Sequence, residues 1–158
     1  MSAQVSTSRS ETTTPDIADA PDGVNGVDGP ETAARFVAWL RTGGDPGNLF
    51  APDVFGDVTL PHWRLQADNA ADLVAIRAAG HPWPGRVRVE RLEPTPRGWV
   101  MQLEERWIDE HGRSWYCREM FRADVTNDAI TDFAVYCTGD WDEAAVLRHE
   151  AEVRLLRP

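Results

Sequence analysis

Cysteine is scarce in this chain, with two among 158 residues, Cys117 and Cys137. They lack metal-site spacing, and no C-x-x-C or H-E-x-x-H pattern occurs, so a structural metal is not expected. Long apolar runs are also missing. Nothing reaches the length of a membrane span, and the N-terminus has no apolar signal core. A cytoplasmic protein with reduced thiols is the expectation. Basic charge is in deficit: 16 basic residues stand against 26 acidic ones, for a net charge of −10. The basic residues are scattered, and such a balance repels phosphate backbones, so nucleic acid is not an expected partner. Solubility is sufficient to explain the charge.

What is present points to a packed body. Hydrophobic residues make up 42% of the chain, and seven are tryptophan, which need a core, a pocket or an interface. Met1–Gly29 is rich in Ser and Thr, then in Asp and Gly, and reads as a disordered tail. Residues 30–158 form one domain, with no internal repeat and no second linker. A first helix follows Pro30, with Phe36, Val37 and Leu40 as its stripe, and Gly43-Gly44 end it. Pro46–Pro52 fits a turn or a short helical bend. Val54–Gln66 holds a strand, irregular at Pro61. Asn69 caps a second helix through Ala79, and His81-Pro82-Trp83-Pro84 is a rigid connector. Strands are expected over Arg86–Glu93, Gly98–Asp109, Ser114–Val125 and Ile130–Thr138, and an amphipathic helix over Asp140–Leu156. Helix, strand, helix and then an antiparallel meander define an α+β domain.

The two middle strands of that meander carry the chemistry. Every second residue from Trp99 reads Trp99, Met101, Leu103, Glu105, Trp107. The next strand reads Trp115, Cys117, Glu119, Phe121, Ala123, Val125. Side chains alternate across a strand, so each set shares one apolar face, and Glu105 and Glu119 interrupt it. A carboxylate there needs a partner or a purpose. A hairpin centred on Gly112 sets Glu105 opposite Glu119, whereas a register two residues away sets them diagonally on the same face. Two such carboxyls cannot both ionise easily, and one retains a proton suited to acid/base work. The structural alternative is a glutamate that bonds a Trp, His or Arg side chain. A turn centred on Asn127 sets Cys117 opposite Cys137, and both read as core residues.

Several segments resemble the SnoaL-like group of the nuclear transport factor 2-like superfamily. They are Leu49-Phe50-Ala51-Pro52-Asp53-Val54-Phe55, Pro61-His62-Trp63-Arg64, Arg118-Glu119-Met120-Phe121 and Val135-Tyr136-Cys137-Thr138-Gly139-Asp140-Trp141. The resemblance covers Pro30–Pro158. It implies a cone-shaped curved antiparallel sheet wrapped over N-terminal helices, a cystatin-like roll with an internal pocket, and a homodimer through the outer sheet face. Members include polyketide cyclases, isomerases, dehydratases and epoxide hydrolases, together with non-catalytic binders. The cyclases use a cavity carboxylate, usually without metal or organic cofactor.

The resulting expectation is a cofactor-independent cyclase, isomerase or dehydratase acting on an apolar, oxygenated small molecule, in polyketide-type secondary metabolism. Glu105 and Glu119 exchange protons and His62 assists. Trp63, Trp99, Met101, Leu103, Trp107, Phe121 and Phe133 shape the pocket. The competing readings are a binding protein with the same pocket and an accessory subunit that uses its outer sheet face. For His62 the structural alternative is a satisfied histidine. His81 and His111 are expected in solvent, His149 in packing or capping, Tyr136 at an interface, and Asp140 as a helix cap in preference to a cavity-mouth residue.

Overall fold

The computed structural model describes residues 28–157. The tail expected over Met1–Gly29 lies almost wholly outside the described residues, and the first helix already begins at Asp28. The elements are α1 (Asp28–Thr42), β1 (Phe50–Thr59), β2 (Arg64–Ala67), α2 (Ala70–Gly80), β3 (Gly85–Thr95), β4 (Gly98–Ile108), β5 (Ser114–Thr126), β6 (Ala129–Cys137), β7 (Trp141–Asp142) and α3 (Glu143–Glu152). No helix among the described residues is long and apolar enough to cross a membrane.

The strands form one curved sheet in the order β2-β1-β6-β5-β4-β3, with β7 paired to β5. The β3–β6 meander is antiparallel, as its alternating pattern predicts. The expected turn is present after Pro46, closed by the Leu49 N–H donating to the Pro46 carbonyl at 3.3 Å, but it ends earlier than Pro52: β1 starts at Phe50 and pairs in parallel with β6. That long-range pairing left no periodic mark in the chain. The irregularity at Pro61 is the β1–β2 hairpin turn, closed by the Leu60 N–H donating to the Trp63 carbonyl at 2.8 Å.

Helix α1 lays Ala33, Phe36, Val37 and Leu40 on the inner sheet face, the i, i+3, i+4, i+7 stripe of an amphipathic helix. The Phe36 ring meets Phe121 at 4.9 Å and Trp99 and Phe133 at 5.3 Å, which ties α1 to the sheet. Helix α2 starts at its predicted cap, where the Asp72 N–H donates to Asn69 Oδ1 at 2.9 Å. It crosses β1 at Gly56, where an added Cβ would stand 2.6 Å from Leu73 Cδ1. A larger residue at position 56 would force the Leu73 side chain to shift.

Helix α3 packs against β5 and β7, and none of its residues is buried. Its cap is Asp142, whose Oδ1 accepts from the Ala145 N–H at 2.8 Å, not Asp140. His149 packs on Trp141 with the rings 5.3 Å apart.

Candidate active site

A cavity of about 540 Å³ opens between the helices and the inner sheet face. Its walls are apolar: Trp39, Leu40, Leu73 and Ile76 from the helices, and Val58, Phe121 and Val135 from the sheet. The polar groups Arg77, His81, Glu119 and Asp140 also border it, which gives the cavity a greasy body with a charged end.

Strand parity brings Glu105 and Glu119 to the inner face as predicted, at 2% and 6% exposure. The register differs from the Gly112-centred one. Glu105 faces Cys117, and Glu119 faces Leu103, so the two glutamates are diagonal. The cause is the hairpin loop. The Asp109 carboxylate accepts from the His111 and Arg113 N–H groups, both at 2.9 Å, which centres the loop on His111.

The two glutamates are shifted in opposite directions. Arg77, at the end of α2, donates to both Glu105 oxygens at 2.8 and 2.7 Å. Burial pushes the Glu105 carboxyl up, but the Arg77 hydrogen bonds and charge outweigh it and hold the group below the ordinary carboxylate value. Glu119 has no such cation pair. Burial, then the neighbouring Glu105 charge and a hydrogen bond to it, raise Glu119 well above the ordinary value. These influences favour its neutral form, and its Oε2 has no hydrogen-bond partner.

His81 departs most from its expected place in solvent. Its side chain is only 10% exposed, and Nε2 lies 3.1 Å from Asp140 Oδ1. Its ring rests on Trp107, 4.4 Å between centroids. Burial and the nearby Arg77 charge oppose a proton on the ring, but hydrogen bonds to Asp140 and Cys137 prevail and lift its pKa to about 9. Arg77 Nη1 stands 3.3 Å from Nδ1. Asp140 is held facing the ring by the turn at Gly139, whose φ of +81° suits glycine.

The turn is centred between Asn127 and Asp128, and a bulge between Asp124 and Val125 moves the β5–β6 register by one more residue, so Cys137 faces Glu119 and not Cys117. The thiols remain neighbours, and both are free. One Sγ of each cysteine, a ring nitrogen of His81 and a Glu119 oxygen all lie within 4.8 Å of one another. A hydrogen bond from Cys117, the His81 ring and the Gly139 N–H together lower the Cys137 thiol to about 5, against its burial.

Of the expected site residues, Glu119 and Phe121 line the cavity, and His62 and the exposed Trp63 stand at its rim on the β1–β2 turn. Glu105 lies behind the lining, locked to Arg77. Trp99, Met101, Leu103, Trp107 and Phe133 are buried core residues that do not border the cavity. They are on the predicted face, but α1 and their own neighbours cover them. Sequence reasoning missed Arg77, His81 and the facing of Asp140. The spacing Leu73-Arg77-His81, four residues apart, was the available signal, since it extends the inward face of α2 with a cation and then an imidazole.

No protein-family profile and no curated protein matches this sequence. Solved structures do match. A delta-5-3-ketosteroid isomerase from a Mycobacterium species is 21% identical, with 75% of this chain and 95% of that chain covered and a TM-score of 0.57. A protein assigned as a SnoaL-like polyketide cyclase from Jannaschia sp. CCS1 is 10% identical, with 87% and 100% covered and a TM-score of 0.56. A nuclear transport factor 2-like protein of unknown function from Burkholderia xenovorans LB400 is 15% identical, with 81% and 94% covered and a TM-score of 0.53. This chain has the nuclear transport factor 2-like fold, the fold it shares with the SnoaL-like proteins.

Proposed function

We propose that the chain is an acid/base enzyme, an isomerase, cyclase or dehydratase, acting on an apolar small molecule that carries a carbonyl or hydroxyl oxygen. The carrying observation is Glu119, a buried carboxyl beside an apolar cavity with Oε2 unpartnered. A carboxylic acid kept neutral by its surroundings donates a hydrogen bond or a proton to a substrate oxygen. Asp140, at the cavity border beside His81, takes a proton from the carbon adjacent to that oxygen. Negative charge then develops on an oxygen held by Glu119. Return of the proton elsewhere gives isomerisation. Carbon–carbon bond formation gives cyclisation, and departure of a hydroxyl as water gives dehydration.

Glu105 is a positioning residue: it fixes Arg77, and its charge beside Glu119 favours the neutral form of that carboxyl. His62 and Trp63 guard the entrance. The similarity of fold to an isomerase and to a SnoaL-like cyclase supports this class. Polyketide-type secondary metabolism supplies substrates of the right chemistry, and the cytoplasm keeps both thiols reduced. The outer sheet face, where Met120 and Tyr136 are paired neighbours at 47% and 63% exposure, suits a homodimer.

The test is incubation of a small-molecule extract of the source organism with wild type and with Glu119→Gln, read by mass and chromatographic retention. A compound altered by wild type, and at least about 100-fold more slowly by the folded variant, is the expected result. If both proteins retain the same compound unaltered, the cavity is a binding pocket and the catalytic reading fails.

A further inference from the structure

We propose that His81, Cys117, Cys137 and Glu119 form a binding site for one Zn²⁺ ion at the inner end of the cavity. Three of the four ligands are fixed by the sheet. Cys117 and Glu119 are two residues apart on one face of β5, and Cys137 is the β6 partner of Glu119, so their side chains form a triangle on neighbouring positions. His81 enters from the connector after α2 and closes the set. The four ligand atoms lie within 4.8 Å of one another. With ordinary zinc–sulfur and zinc–nitrogen bonds, the edges of a tetrahedral site are ~3.3–3.8 Å, so closure needs side-chain movements of about 1 Å.

Further contacts fit the same purpose. Asp140 holds the His81 ring at 3.1 Å, as outer carboxylates hold ligating imidazoles. The Gly139 N–H donates to Cys137 Sγ at 3.3 Å, the support a thiolate ligand needs. Glu119 Oε2 is buried without a partner, and Glu119 and His81 both border the cavity, which gives the ion an entry path. With Nε2 on Asp140, the ligating nitrogen is Nδ1, so the ion displaces Arg77 Nη1 from its 3.3 Å approach; two thiolates and a carboxylate leave the Zn²⁺ complex with one net negative charge, which that guanidinium then faces. Soft sulfur ligands select zinc over magnesium or calcium. The spacing of the four residues along the chain resembles no metal motif because they come from a connector and two strands.

A bound ion displaces the Glu119 proton to solvent and occupies His81, so the zinc form cannot perform the acid/base chemistry proposed above. The site itself does not depend on that chemistry, and its test reads the metal alone. Untagged full-length protein is reduced, stripped with chelator and titrated with Co²⁺ without oxygen, and then with Zn²⁺. One equivalent of Co²⁺ is expected, with thiolate-to-cobalt charge-transfer absorption and intense tetrahedral visible bands, all displaced by Zn²⁺. Cys137→Ser and His81→Ala, checked for folding by circular dichroism, each weaken binding more than ~100-fold, and Asp140→Asn weakens it by about tenfold. His111→Ala, on the remote hairpin loop, leaves it unchanged. Cobalt uptake without charge-transfer bands, no uptake at all, or equal affinity in folded Cys137→Ser overturns the site.

Discussion

Two regions of the β4–β5 hairpin each bury a carboxyl group, and they treat it in opposite ways. At the tip, Asp109 accepts from the His111 and Arg113 N–H groups at 2.9 Å, from Arg113 Nε at 2.7 Å and from Trp115 Nε1 at 3.0 Å. Burial pushes this carboxyl up, but the backbone and side-chain donors outweigh it and hold it far below the ordinary range. At the floor of the cavity, Glu119 has no cation paired to it directly, and burial and the Glu105 charge raise it against the more distant Arg77 charge. Both residues are nearly inaccessible, at 6% exposure. The difference lies in the donors, and it separates a carboxylate spent on holding a loop from a carboxylic acid left free to act.

The largest effect comes from removing the cation behind the floor. Arg77→Met leaves Glu105 buried without its partner and is expected to lower stability by about 3–5 kcal/mol in urea denaturation. A loss below ~1 kcal/mol would mean that Glu105 finds another partner or takes a proton at little cost.

Next is the tip. Asp109→Ala is expected to destabilise less than Arg77→Met, and the difference from wild type shrinks in acid. A depressed folded pKa gives stability that is present above the unfolded value of 3.8 and is lost as pH falls through the folded value. Thermal melts of both proteins from neutral pH downward should converge, and parallel curves would refute the assignment.

Glu119 inverts that sign. Its folded pKa is raised, so its favourable contribution is present below the ordinary value of 4.5 and is lost as pH rises toward the folded one. Metal-free Glu119→Gln is expected within about 1 kcal/mol of wild type at neutral pH, and it gains on wild type as pH increases. A gap that stays constant with pH contradicts a protonated Glu119.

The smallest effect belongs to the outer face of the same strands. There Arg118 pairs with Glu90 at 2.5 Å and Arg88 with Glu104 at 2.9 Å, all in reach of water. Arg118→Ala is expected to change stability by no more than ~0.5 kcal/mol in the same urea series.

Much of this contrast was legible in the chain. Period-two alternation put Glu105 and Glu119 on the apolar face and Tyr136 on the other, and the Asn69 cap and the α1 stripe were read from side-chain chemistry. The exact pairing was not legible, because loop and bulge geometry decide register: Asp109 recentres one hairpin, and the Asp124–Val125 bulge shifts the next. The parallel β1–β6 contact is long-range and leaves no local pattern. His81 looked like a loop residue between a helix end and Pro82, and only the fold shows that the loop drops it beside Cys137 and Asp140. Trp99, Met101 and Phe133 were placed on the correct face, but parity cannot tell a cavity wall from the core beneath α1.

The most direct measurement of the central claim is the infrared spectrum of metal-free protein at neutral pH, in wild type and in Glu119→Gln. A carboxylic-acid carbonyl band in wild type that vanishes in the variant is the predicted result. A wild-type spectrum with no protonated carboxyl band at that pH would contradict the neutral Glu119 on which the proposed chemistry stands.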